Sequence, residues 1–205
     1  MKQLIAEGAE AKIYKNGSLI IKERIPKKYR IKELDNKIRR YRTRREISIL
    51  QKTSQLINTP KLKQGSSESN FIIVMDFIKG KKLADCLDKL NEKERTEICK
   101  KIGKQIAVLH NNNIIHGDLT TSNMILNKNE IYFIDFGLSF IDQKPEHKAV
   151  DLHLIKQALE SKHYKNFESS FKNIIESYKE NSKNYKEILD RLIKVESRGR
   201  YKLKN

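Results

Sequence analysis

Hydrophobic and polar positions change their rhythm several times along the chain. Short apolar runs between residues 2 and 24 predict three strands, at 2–6, 11–15 and 18–24. Asn16-Gly17 between the second and third is a strong two-residue hairpin signal. Leu34, Ile38, Tyr41, Ile47 and Leu50 then recur near helical spacing, which predicts a long helix over about 31–55 with these residues on its inner face. Residues 62–65 and 70–77 read as a second strand pair joined by a Gly-Ser-Ser turn, and Ile78-Lys79-Gly80 as a crossing point.

Beyond that point the helical period dominates. Ile98, Ile102, Ile106 and Leu109 mark a long helix, followed by the polar run Asn111-Asn112-Asn113. Met124-Ile125-Leu126 and Ile131-Tyr132-Phe133-Ile134 flank a polar turn and predict a hairpin. Three further helices are expected: one over 150–161, one carrying Phe167, Phe171, Ile174 and Tyr178, and one carrying Tyr185, Ile188, Leu189 and Leu192. The expected class is α+β, with a β-rich part at 1–77, a mostly helical part at 78–197 and a basic tail at 198–205.

Composition narrows the function. With 205 residues there is room for one compact domain or two small lobes. The longest apolar run, Phe71 to Met75, falls far short of the roughly 20 residues of a membrane helix. Acidic Glu7 interrupts the N-terminus before a secretory apolar region can form, so a soluble, cytoplasmic protein without a membrane partner is expected. Cys86 and Cys99 match no metal or redox spacing. The 43 basic and 26 acidic side chains leave a net charge of +17. Ten of the basic residues crowd 27–45, and Arg198, Arg200, Lys202 and Lys204 close the chain without an acid. Such clustering favours a polyanion-binding surface, nucleic acid first, over an evenly solubilising one.

The chemistry concentrates in His116-Gly117-Asp118-Leu119-Thr120-Thr121-Ser122-Asn123, which follows a helix and precedes a hairpin ending in Asp135-Phe136-Gly137. Phosphoryl transfer asks a protein mainly for positioning and charge neutralisation. Asp118 suits a base that orients the nucleophile, while Asn123, five positions on, and Asp135 suit Mg²⁺ ligands. The order and context resemble the catalytic loop and metal motif of protein kinases, which implies a minimal bilobal kinase-like fold. That fold implies ATP and Mg²⁺ as cofactors. Glu7-Gly8-Ala9-Glu10-Ala11, followed by Ile13, lies where a phosphate-covering turn belongs, although it has one glycine instead of three. Lys22 matches the strand lysine for the α and β phosphates. Glu46 is its expected helix partner, with Glu33 a rival earlier in the helix. Met75, Asp76 and Ile78 form the expected hinge, Met75 behind the adenine and the backbone of the other two beside it.

Departures from that pattern are informative too. Gly117 stands where most protein kinases carry an arginine, and residues 138–148 leave no room for a long activation segment. Switching by phosphorylation of that loop is therefore not expected. His147 and the remaining histidines outside the loop form no metal-ligand spacing and are expected to be packing or surface residues, whereas His116 is expected to organise the loop backbone.

The sequence resembles the small atypical kinase subunit of the KEOPS complex, the p53-related protein kinase family. The resemblance rests on Glu7 to Ala11, on Ile21-Lys22-Glu23-Arg24-Ile25-Pro26-Lys27-Lys28-Tyr29-Arg30 and on Arg42-Thr43-Arg44-Arg45-Glu46. The loop 116–123, Asp135-Phe136-Gly137 and the terminal Arg198-Gly199-Arg200 complete it. It implies ATP hydrolysis in support of threonylcarbamoyladenosine formation on tRNA, with serine/threonine phosphorylation as a second activity. It also implies partnership with the threonylcarbamoyl-transferring metalloprotein, separate or fused, and with other KEOPS subunits. The basic tail residues would then touch tRNA or a partner. A small-molecule phosphotransferase and a non-catalytic tRNA-binding scaffold of the same fold stand as alternatives.

Overall fold

The computed structural model describes residues 2–200, with the side chains of 199 and 200 outside the description. Three strands open the chain, β1 (Gln3–Glu7), β2 (Ala11–Asn16) and β3 (Leu19–Arg24), followed by helix α1 (Lys32–Thr53) and strand β4 (Ile72–Asp76). They form one antiparallel sheet in the order β1-β2-β3-β4. The hairpin forms one residue later than Asn-Gly suggests. Asn16 pairs with Leu19, so Gly17 and Ser18 make the turn, with Gly17 at φ +59°.

Two expectations fail here. Residues 62–65 contribute only an isolated bridge from Leu62 to Met75, because Gly65 turns the chain at φ +96° before a ladder can extend. The inner face of α1 is also only partly the apolar one, with Leu50 buried and Ile47 packed against the core as expected. Leu34 and Tyr41 are exposed, while Asp35, Thr43 and Glu46 are buried beside Ile49 and Leu50. Buried acids belong inside only when paired, and each of these two has a cation against it.

The rest of the chain is mostly helical. Strand β5 (Lys81–Lys82) leads into the short helix α2 (Leu83–Cys86), then α3 (Glu92–Asn111), which starts on a capping box between Asn91 and Glu94. Next come strands β6 (Ile114–Ile115), β7 (Met124–Asn127), β8 (Glu130–Phe133) and β9 (Phe140–Ile141). The predicted hairpin is β7-β8, with β5 added at its edge, and β6 pairs with β9. Helices α4 (Pro145–Lys162), α5 (Phe167–Asn181) and α6 (Tyr185–Arg200) complete the fold.

The main core lies among α3, α4, α5 and the β7-β8 hairpin, around Ile102, Ile106, Phe133, Leu152 and Tyr178. Gly103 sets the α3–α5 approach, since a Cβ there would stand 2.1 Å from the Ile174 carbonyl oxygen. Helix α4 begins five residues before the predicted start, with Pro145 in its first turn. Helix α6 runs through to Arg200, so the fold does not end at 197. Arg198 lies in that helix and pairs with Glu146 of α4, rather than in a separate tail. Lys202 and Lys204 lie outside the described residues. Among the described residues no helix is long and apolar enough to cross a membrane.

Candidate active site

Strand β3 places Lys22 and Arg24 on one face, two residues apart, and the inner side of α1 brings Glu46 against both. Lys22 Nζ donates to Glu46 Oε1 at 2.7 Å and to Asp135 Oδ1 at 2.6 Å. Arg24 Nη2 donates to the other oxygen of Glu46. Glu46 is therefore the partner of Lys22, and the rival Glu33 is exposed at the outer start of α1. Burial works to discharge the Lys22 ammonium, but the Glu46 and Asp135 carboxylates outweigh it and hold its pKa above the ordinary lysine value. Asp135 is shifted the other way. Partial burial would raise its pKa, and Lys22 and the Gly137 N–H bring it below the usual carboxylate value.

Asp135 follows a residue gripped by the loop. The Ile134 N–H donates to the Asn123 carbonyl at 2.9 Å, and His116 Nε2 lies 3.2 Å from the Ile134 carbonyl. Within the loop, Asn123 Nδ2 donates to both the Asp118 carbonyl and Asp118 Oδ2, at 2.9 and 2.8 Å. Asp118 N–H approaches His116 Nδ1 at 3.3 Å, so His116 serves as an Nε2–H donor and an Nδ1 acceptor. Complete burial lowers its pKa below the ordinary histidine value and favours that neutral form.

Asp151 of α4 anchors the whole segment from beneath. Its carboxylate accepts the backbone N–H groups of His116 and Gly117 at 2.6 and 2.9 Å, and His110 lies 3.4 Å away. Gly117 sits at φ +77°, with a would-be Cβ 2.6 Å from the Leu138 carbonyl oxygen. A side chain at that position is strained in conformation and blocked in space, which accounts for glycine there. Ser139, the one hydroxyl residue between 138 and 148, is fully buried and donates to the His116 carbonyl at 2.7 Å.

The remaining expected positions lie around this cluster. Glu7, Gly8 and Ala9 are exposed, and the Gly8 N–H closes a tight turn onto the Ala11 carbonyl at 3.0 Å. Glu10 pairs with Arg42 at 2.6 Å, while Ala11 is buried and Ile13 half-buried on β2. Met75 is buried at the end of β4, and Asp76 and Ile78 are half-buried where the chain leaves the sheet. A groove of about 480 Å³ beside this segment shares only Ile78 with the expected nucleotide residues.

Sequence reasoning missed three participants. Arg24 carried a signal, being two positions from Lys22 in a strand. Asp151 was only an isolated acid among apolar neighbours. His163 is buried, as a packing role allows, but it also reaches the loop: Nδ1 lies 2.7 Å from Asp88 Oδ2 and Nε2 lies 3.2 Å from Thr121 Oγ1. His110 packs edge-on against Tyr178, as a packing role requires. Cys86 and Cys99 are buried free thiols, and burial pushes Cys99 up to about 11.

A family model described as protein kinase domain matches residues 1–165. The chain belongs to the protein kinase family, and it is a kinase-type enzyme of mixed α and β structure. Protein kinase domains in general use ATP and a divalent metal ion. The relatives narrow the family further. The KEOPS complex subunit Bud32 of Pyrococcus abyssi is 44% identical over 98% of this chain and 96% of its own length. The "Probable serine/threonine-protein kinase BUD32 homolog" of Archaeoglobus fulgidus is 36% identical, with 98% and 96% covered. Within the kinases, the chain belongs to the Bud32 family. It also matches the "Probable bifunctional tRNA threonylcarbamoyladenosine biosynthesis protein" of Methanobrevibacter smithii at 42% identity. That match spans 97% of this chain but 36% of the longer relative.

Proposed function

We propose that the chain is the ATP-dependent kinase subunit of a KEOPS-type assembly, turning over Mg-ATP in support of threonylcarbamoyladenosine formation on tRNA. The observation that carries the catalytic part is the joining of two separate constellations. Lys22, held by Glu46, meets Asp135, and Asp135 adjoins the Asp118–Asn123 loop through Ile134. The biological part is supported by the names of relatives aligned over nearly the whole chain.

The donor set fits a hard divalent cation. Both side-chain hydrogen bonds of Asn123 leave through Nδ2, so among the described residues its Oδ1 has no hydrogen-bond partner, and Asp135 is half exposed beyond its contact with Lys22. Asn123 and Asp135 are assigned to hold Mg²⁺, which when bound neutralises phosphate charge. Lys22 takes the α and β phosphates and Glu46 steadies it. Glu7 to Ala11 and Ile13 cover the nucleotide, with Met75 behind the adenine and the backbone of Asp76 and Ile78 beside it. Asp118, held by Asn123, orients a hydroxyl or water and accepts its proton.

Phosphate passes to serine or threonine hydroxyls, or to water once a partner orders the site. Buried Ser139 leaves residues 138–148 without an accessible serine or threonine, which supports regulation by a partner instead of a phosphorylated loop. Partners in this reading are the threonylcarbamoyl-transferring metalloprotein, other KEOPS subunits and tRNA. Exposed Lys32, Lys37, Arg40 and Arg44 on α1 suit a phosphate backbone. Arg198, Arg200, Lys202 and Lys204 remain the proposed tRNA or partner contacts.

The decisive experiment measures ATP turnover with and without tRNA and the metalloprotein, on the native chain and on Asp118→Ala and Asp135→Ala. Each substitution is expected to lower turnover by about a hundredfold or more while the chain remains folded. Near-normal turnover in either variant at saturating Mg-ATP removes the site assignment. Turnover unaffected by both tRNA and the metalloprotein removes the tRNA-modification role.

A further inference from the structure

Glu46 has two cations where one lysine suffices to make a pair. Lys22 holds Oε1 and Arg24 holds Oε2, and the three residues are 6%, 4% and 1% exposed in the order Lys22, Arg24, Glu46. Lys22 has a second engagement, with Asp135, whereas the only hydrogen bond made by the Arg24 side chain among the described residues goes to Glu46. Its Nε is buried without a partner, a cost accepted to keep the guanidinium under α1. The main chain at the same point is also tied to the helix. Arg39 Nη1 donates to the Arg24 carbonyl at 3.2 Å, and Arg39 Nε is fixed by Asp35 at 2.6 Å. Asp35 in turn accepts the Lys27 N–H at 3.2 Å.

This division of labour matters when Lys22 is claimed by phosphate. A buried carboxylate that must share its only cation competes with the ligand for it, and one that loses it is strongly destabilised. A second cation removes the competition. A Cβ at Gly137 would lie 3.3 Å from Lys22 Nζ and 3.5 Å from Arg24 Nη2, so both cations border the segment that carries Asp135.

We infer that Arg24 is a positioning residue that holds Glu46, and α1 with it, against β3 independently of Lys22. The helix therefore stays inward with or without nucleotide, and no phosphorylated loop is needed to bring it there. The inference rests on the proposed nucleotide site for its consequence in turnover, but not for its structural content.

The test has one arm that needs no nucleotide. Hydrogen exchange of the α1 amides is measured on the full native chain and on Lys22→Gln, Arg24→Gln and the double variant. With Arg24 present, Lys22→Gln is expected to keep α1 protection within about twofold of native, and the double variant to lose about tenfold or more. Loss of protection in Lys22→Gln alone overturns the inference, whether or not the double variant folds.

The second arm is kinetic. Arg24→Gln is expected to raise the KM for Mg-ATP about tenfold with kcat changed less than about threefold, and Arg24→Lys to recover most of the loss. Adding Arg24→Gln to Glu46→Gln is expected to cost nothing further, because Arg24 acts through Glu46. Multiplying losses would make Arg24 a phosphate ligand and overturn the positioning role. A native chain with no Mg-ATP turnover would instead defeat the proposed function, with the exchange arm still deciding the role of Arg24.

Discussion

The sheet part and the helical part hold their shares of the site by different physics. Around β3 and α1 the holding groups are charges: Lys22, Arg24, Glu46 and Asp135 form a chain of two cations and two carboxylates. The sheet above them is thin, and β1 is exposed along its whole length. Around the 116–123 loop the holding groups are backbone amides, a neutral histidine and a packed core, with Asp151, His116, Leu119 and Phe136 all essentially buried. A site half depending on charge answers to ligands and partners, whereas a half built into a core keeps its geometry and responds mainly to damage of that core.

The largest break in this contrast is expected at Asp151. Asp151→Ala strands one buried and one part-buried backbone N–H, at about 1–3 kcal/mol each, and leaves His110 with one fewer partner. Denaturant unfolding is expected to show a loss of about 3 kcal/mol or more. A loss under about 1 kcal/mol would mean that the loop is held by something other than this carboxylate. Gly117→Arg comes next, since the new side chain meets both the left-handed backbone and the Leu138 carbonyl. It is expected to cost about 1–3 kcal/mol and to depress ATP turnover through displacement of the loop, read by thermal melts alongside kinetics. A variant of native stability and turnover would show that the arginine of other kinases is tolerated here.

Acid separates the two parts more gently. Burial lowers the His116 pKa from 6.5, so the folded protein resists a proton that the unfolded chain accepts. Its contribution is whole above about pH 6.5 and falls as pH drops from there, by up to about 1.4 kcal/mol per unit. Lys22 is shifted upward from 10.5, so its contribution is present below that value and is lost only in alkali above it. Asp135 is shifted downward from 3.8, so its contribution fades only in stronger acid. Amide exchange followed from pH 7 to 5 should therefore loosen the loop before it loosens β3 and α1. Simultaneous loosening of both regions would erase the distinction.

The smallest effect belongs to the rim. Arg198→Ala breaks a pair whose arginine is 64% exposed and is expected to cost no more than about 1 kcal/mol, with basal turnover unchanged. Deleting residues 201–205 removes Lys202 and Lys204 and none of the described residues. In the tRNA-binding reading it flattens the salt dependence of tRNA binding by about 0.7–0.9 for each phosphate that the removed cations neutralise, measured by titration at several salt concentrations.

The 116–123 loop, the hairpin ending in Asp135 and the β2-β3 hairpin were legible because short-range patterns specify them. The inner face of α1 was not. Apolar spacing pointed to Leu34 and Tyr41, but the helix turns Glu46 inward because its cations, Lys22 and Arg24, lie 24 and 22 positions away on β3, out of view of any local window, and Asp35 inward between Arg39 of the same helix and the Lys27 N–H. His163 and Asp151 were equally opaque, since their partners at Asp88, Thr121, His116 and Gly117 lie 34 to 75 positions away.

The sequence by itself determined the order of elements, the kinase-type motif and the excess of positive charge, because strand and helix periods, turn residues and catalytic spacing are all local. Only the tertiary structure decided which buried charges meet. It set Arg24 beside Lys22 on one carboxylate, closed the Leu138 carbonyl over Gly117 and put Asp151 beneath the loop. A buried charge is stable only where a partner of opposite sign or a free N–H arrives from elsewhere in the chain, and that arrival is a property of the assembled fold.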